Sequence, residues 1–124
     1  MSWRTIRAKG KQRPRGQMNK TEAAYADHLK MLERTGVIAW FAYEAIKFRL
    51  ANNTFYTPDF LVMLSDGQLE VHEVKGRKGE GYYAEDDAKV KIKVAAALYP
   101  MLFRVVWPDR ERGWKQENLS AEAP

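Results

Sequence analysis

The chain has no cysteine, and among its 124 residues only His28 and His72 are histidine. Without thiols there are no disulfides and no thiolate metal sites, and a reducing compartment suits the protein. Two imidazoles are too few for a zinc cage. No apolar run approaches the roughly 20 residues needed to cross a bilayer, and the start has no apolar signal-peptide core. A cytoplasmic protein without a membrane partner is the expectation. Internal repeats, heptads and glycine-rich phosphate loops are missing too.

Acid is missing from one stretch in particular. Residues 1–18 hold Arg4, Arg7, Lys9, Lys11, Arg13 and Arg15 and no Asp or Glu, a balance of +6. The whole chain carries +5, so residues 19–124 carry −1 and the positive excess lies entirely in this leading arm. With Gly10, Pro14 and Gly16 in it, the arm has too little apolar surface to fold alone. A basic arm of this kind suits a polyanion, because each phosphate contact releases counterions, and such contacts position a nucleic acid without reading its sequence. The remainder divides into a folded domain over 19–108, large enough for a single core, and a mostly polar tail over 109–124. Trp114 in that tail is free to dock on the core or on a second subunit.

The strongest chemical signal is YTPDFLVMLSDGQLEVHEVKG, from Tyr56 to Gly76. Two apolar, strand-like runs, Phe55 to Leu64 and Leu69 to Lys75, flank a Ser65-Asp66-Gly67 turn. Among the charged residues in them, Asp59, Glu73 and Lys75 form the set that carries chemistry. Glu73 and Lys75 are two apart and share a strand face, and pairing of the runs as a hairpin sets Asp59 beside Glu73. Two adjacent buried carboxylates repel. A divalent cation with hard-oxygen preference resolves that repulsion, and Mg²⁺ takes one or two carboxylates with water and phosphate oxygens completing its shell. An ammonium alongside is placed to neutralise a phosphate in the transition state or to orient the attacking water. The set is suited to metal-assisted phosphodiester hydrolysis.

These residues resemble the PD-(D/E)XK nuclease signature, with Pro58-Asp59 as its first half and Glu73-Val74-Lys75 as its second. The resemblance runs from about Asn19 to Trp107 and is nearest to small phage-type members and Holliday junction resolvases. The thirteen residues between Asp59 and Glu73 make the spacing a little long. The resemblance implies a restriction-endonuclease-like α/β core, a central mixed β-sheet flanked by helices. It implies Mg²⁺, with Mn²⁺ as substitute, held by Asp59, Glu73 and the Val74 carbonyl beside Lys75. Many members add a glutamate from the first helix, where this chain has Glu22. That residue has a second explanation, since Asn19-Lys20-Thr21-Glu22 also fits a capping box.

The rest of the chain reads as one α/β unit. A helix is expected over Lys20 to Thr35 with Gly36 as its stop, a strand over Glu44 to Leu50, and a turn at Asn52-Asn53. Gly76 to Gly81 reads as a flexible basic loop. Its Arg77 and Lys78 either close over a phosphate backbone or are plain solvated charge. A second helix is expected over Ala84 to Leu98. Members of the resembled family often bring a basic residue from this helix to the site, a role open to Lys89 or Lys93, which are otherwise surface lysines. Met101 to Trp107 reads as a buried strand, parallel to the Glu73 strand through a right-handed crossover. The resulting expectation is a magnesium-dependent endodeoxyribonuclease selective for branched DNA, of the Holliday junction resolvase kind. Two symmetric cuts in a four-way junction call for a homodimer. The alternatives are a restriction-type or nicking endonuclease, or a DNA-binding protein on the same fold that does not cut.

Overall fold

The computed structural model describes residues 16–83 and 86–120. Six residues proposed to contact nucleic acid, Arg4, Arg7, Lys9, Lys11, Arg13 and Arg15, lie outside them. Helix α1 (Lys20–Arg34) begins with the anticipated capping box. The Glu22 N–H donates to Asn19 Oδ1 at 2.7 Å and the Asn19 N–H donates to Glu22 Oε1 at 2.9 Å. Gly36, at φ +83°, ends the helical path with a backbone conformation that only glycine adopts freely.

Strand β1 (Ile38–Tyr43) follows at once, in a segment where the sequence suggested no strand. The strand expected over Glu44 to Leu50 is instead a short β2 (Phe48–Ala51), hairpinned to β3 (Thr54–Tyr56) through the Asn52-Asn53 turn, with Asn53 at φ +59°. The long strand expected from Phe55 is cut in two at Thr57-Pro58-Asp59, because proline has no N–H to give a ladder. Its second half is β4 (Phe60–Leu64), antiparallel to β5 (Leu69–Val74) as anticipated. The glycine-rich loop after β5 is a small hairpin of β6 (Arg77–Lys78) and β7 (Gly81–Tyr82).

Helix α2 (Asp86–Leu98) then crosses to β8 (Leu102–Pro108), which lies parallel to β5 with Glu73 opposite Val105. The polar tail is not a tail throughout: β9 (Trp114–Asn118) pairs antiparallel with β8. The fold is thus α/β, a mixed five-stranded sheet in the order β1-β4-β5-β8-β9 flanked by two helices. No helix among the described residues is long and apolar enough to cross a membrane.

Strand alternation sorts the core into two layers. On one face Tyr25, Ala26 and Leu29 of α1 pack on Phe60, Val62, Val74 and Val106. On the other, Ile92, Ala95 and Ala96 of α2 pack on Leu61, Val71, Phe103 and Val105, with Phe48 and Tyr56 of the small hairpin. Burying one such side chain contributes about 1.5–3 kcal/mol, so these layers fix the sheet that carries the motif.

Candidate active site

The motif residues meet at one end of the β4–β5 pair. Phe60 is opposite His72, so the same register carried one step further sets Asp59 beside Glu73 and two steps further sets Pro58 opposite Val74. Proline cannot donate to the Val74 carbonyl, and the Val74 N–H donates instead to Asp59 Oδ2 at 2.8 Å. A strand residue turns its own N–H and C=O to the same edge, so the Val74 carbonyl points toward Asp59. Pro-Asp therefore does two local jobs: it ends the ladder and replaces its last bond with a carboxylate. The Asp59 carbonyl is braced by the Glu44 N–H at 2.8 Å, and Glu44 holds the strained φ of +50°.

Glu73 is 8 % exposed. Its Oε1 accepts a hydrogen bond from the Tyr56 O–H at 2.5 Å, and its Oε2 lies 3.8 Å from Lys75 Nζ. The Lys75 N–H donates to the Val106 carbonyl at 2.9 Å, so β8 fixes the backbone beneath the ammonium. Glu22, Asp59, Glu73, Val74 and Lys75 all line one cavity of about 260 Å³, together with Asn19, Gly76 and Tyr83. The structure brings the four proposed catalytic residues together.

Electrostatics here favour an added cation. Burial, followed by the neighbouring Glu73 charge, pushes the Asp59 carboxyl up to about 9 from the usual carboxylate range, and Glu22 adds to the pressure. Burial pushes Glu73 upward as well, although the Tyr56 hydroxyl and Lys75 pull the other way. The pair therefore retains a proton near neutrality unless a cation replaces it. The donor set fits Mg²⁺ by its chemistry, with two carboxylates and a carbonyl as hard oxygens and room for water. No three His, Asp or Glu residues among those described stand close enough for a ready-made ion cage. Glu22 contributes to that shortfall, because its Oε1 is engaged by the Asn19 N–H and by the Tyr43 O–H, each at 2.9 Å. In this state Glu22 is a helix cap that also borders the site.

The remaining candidates are dispersed. Arg77 and Lys78 are exposed on β6, where Arg77 Nη1 donates to the Gly79 carbonyl at 2.9 Å. Lys89 is turned to β9, with its Nζ 3.9 Å from Glu117 and 4.9 Å from the centre of the Tyr82 ring. Lys93 is exposed and lines neither cavity that contains Glu73. The α2 lysine that shares a cavity with Glu73, a second one of about 640 Å³, is Lys91. A helix turns 100° per residue, so the choice among three alternating lysines depends on a helix phase that only packing reveals.

Sequence reasoning also missed Tyr56 and the back of the site. Tyr56 lies three residues before Asp59 but on the separate β2–β3 hairpin, and its only sequence signal is that a buried tyrosine hydroxyl needs a partner. Behind β5, the Tyr25 hydroxyl and His72 Nδ1 share a hydrogen bond of 2.7 Å, and His72 Nε2 bonds Glu70 at 2.9 Å. Arg104 lies 3.5 Å from the other Glu70 oxygen. Burial alone would raise the Glu70 carboxyl, but the His72 and Arg104 contacts outweigh it and hold it low. This chain clamps α1, and with it Glu22, to the strand that bears Glu73.

Tyr56 gives a first expected result. Tyr56→Phe removes one hydroxyl from a buried carboxylate without opening a cavity, and outer-shell losses of this kind weaken metal affinity about 10–100-fold. Free Mn²⁺ measured by electron paramagnetic resonance should show that loss in a folded protein. Unchanged affinity would remove Tyr56 from the site. Compared with known families, curated proteins and solved structures, the chain matches none.

Proposed function

We propose that the chain is a magnesium-dependent DNA endonuclease of the PD-(D/E)XK kind on a restriction-endonuclease-like core. The observation that carries this reading is the convergence of Asp59, Glu73, Val74 and Lys75 on one cavity whose carboxylates are short of positive charge. A protein that only bound DNA would gain nothing from burying these acids, which repel phosphate as well as each other. Bound Mg²⁺ would supply Lewis-acid stabilisation of charge on the phosphate and acidify a water.

The chain's own residues do the rest. Asp59 and Glu73 offer hard oxygens, with the Val74 carbonyl beside them. The Tyr56 hydroxyl and Lys75 hold the two Glu73 oxygens in place. Lys75 presents its ammonium to the cavity, where it orients the attacking water or neutralises a phosphate oxygen. Glu22, capped at Asn19, borders the same space and adds negative charge that strengthens cation binding. The basic arm and the exposed Arg77 and Lys78 would hold backbone phosphates without reading bases. Their pattern favours selection by DNA shape, hence branched DNA, two symmetric cuts by a homodimer, and work in the cytoplasm of the cell.

Incubating the protein with a synthetic four-way junction and with supercoiled plasmid, in Mg²⁺ or in chelator, tests the reading. Paired nicks in the junction that need the metal are expected. Equal cutting of linear duplex would withdraw the branch preference and favour a restriction-type or nicking enzyme. Binding without cleavage in both Mg²⁺ and Mn²⁺ would overturn the catalytic assignment.

A further inference from the structure

Two exposed aromatic rings bracket the carboxylates. Phe55, 40 % exposed, lines the 640 Å³ cavity, and Tyr83, 56 % exposed, lines the 260 Å³ cavity. Glu73 lines both, so the two hollows adjoin at the carboxylate that Tyr56 and Lys75 hold. Single exposed aromatics are common and need no explanation. Here each ring also has a lysine over it: Lys47 Nζ is 4.6 Å from the centre of Phe55 and Lys78 Nζ is 5.6 Å from the centre of Tyr83.

Phe55 directly precedes Tyr56 in β3 and turns its exposed ring to the solvent side of the hairpin, opposite the buried Tyr56 side chain that reaches Glu73, and it lines the larger hollow from that edge. The Tyr83 N–H donates to the Gly76 carbonyl at 3.0 Å, and the Tyr83 ring lies beside Gly76. Lys91 adds positive charge to the wall of the larger hollow, opposed there by Asp87.

An aromatic face with a mobile cation beside it is the equipment of single-strand nucleic-acid grooves. The base stacks on the ring, the lysine shifts to the neighbouring phosphate, and every base qualifies because every base has a π-face. We propose that Phe55 and Tyr83 are stacking platforms for the nucleotides on either side of the phosphate to be cut. A base stacks on a side chain only when it has left its own neighbours. The substrate strand is therefore unpaired where it crosses Glu73, and the substrate class is DNA with a locally single-stranded stretch: a branch point, a flap or a single strand. This deepens the nuclease reading and rests on it for the word cut, but not for the binding.

The test is equilibrium binding of the full chain to a fluorescent oligothymidylate in chelator at fixed salt, which needs no cleavage. Phe55→Ala and Tyr83→Ala are each expected to weaken binding about 5- to 100-fold, with blunt-duplex binding changed less than twofold. Phe55→Leu keeps an apolar side chain without a π-face and is expected to lose as much as alanine, whereas Phe55→Trp restores wild-type affinity. Melting curves confirm that each variant is folded. Alanine variants that bind the oligonucleotide like wild type would overturn the proposal, as would an equal loss on duplex. If the platforms bind but no DNA is cut in Mg²⁺, the catalytic reading fails and the groove stands.

Discussion

Replacing Lys75 with alanine is expected to slow the cleavage step about 100- to 1,000-fold while DNA affinity changes little. That is the loss typical when one preorganised charge or donor is removed from a transition state in a water-poor site. The backbone at Lys75 is held by its N–H bond to Val106, independent of the side chain, and the ammonium is largely enclosed beside Glu73. The substitution therefore removes chemistry with little effect on architecture. Lys75→Arg should not restore the rate, since a planar five-donor fork does not replace a compact ammonium in so small a hollow. Single-turnover cleavage of a junction at saturating Mg²⁺ measures the step, and fluorescence anisotropy measures affinity. A variant that cuts at the wild-type rate would exclude Lys75 from catalysis. One that loses rate only through weaker binding would make it a docking residue.

Asp59→Asn is expected to abolish cleavage and at the same time stabilise the metal-free protein at alkaline pH. In the unfolded chain an aspartate titrates near 3.8, whereas burial and the Glu73 charge push the folded group up to about 9. Between those values the folded state binds a proton that the unfolded state has released, so stability falls as pH rises. The limit for one proton is about 1.4 kcal/mol per pH unit. Below pH 4 both states hold the proton and the effect vanishes. Burial displaces Glu73 in the same direction. Melting temperatures from pH 5 to pH 9 in chelator should therefore decline for the wild type and flatten for Asp59→Asn. Added Mg²⁺ should restore the wild type most at high pH, because a ligand that binds only the folded state stabilises it. A level wild-type profile would show that the carboxylates are not in conflict.

The opposition between these two properties explains why the site was the most legible part of the sequence. Asp59, Glu73 and Lys75 break apolar runs that a folding requirement alone would have left apolar, and such breaks are what function leaves in a sequence. The capping box of α1, the Ser65-Asp66-Gly67 turn and the parallel crossover through α2 are likewise set by local chemistry and chain handedness. Other elements gave no comparable signal. Strand β1 reads Ile-Ala-Trp-Phe-Ala-Tyr, apolar throughout, so no alternation marks it as a strand against a continuation of the core.

Strand β9 is the opposite case. Its polar Lys-Gln-Glu-Asn lies at the sheet edge, where charge guards against pairing with another chain. Only Trp114 turns inward, 4.8 Å from Tyr25 between ring centres, which settles its docking partner within this chain. Polar edge and solvated tail share one composition, and only the ladder to β8 separates them. Tyr56 and Lys91 were hidden for a third reason: Tyr56 bonds Glu73 from the separate hairpin and Lys91 lines a hollow with Glu73 from α2, and proximity between separate elements leaves no local period.

Titrating the metal-free protein with Mn²⁺ by calorimetry near pH 7.5, in two buffers of different ionisation enthalpy, is the most direct test of a cation site built on Asp59 and Glu73. Saturable binding with release of about one proton per ion is expected, since the cation must displace the proton the carboxylates retain. Asp59→Asn should lose both the affinity and the proton release. Absence of binding, or binding that Asp59→Asn leaves untouched, would contradict the assignment of these carboxylates as metal ligands.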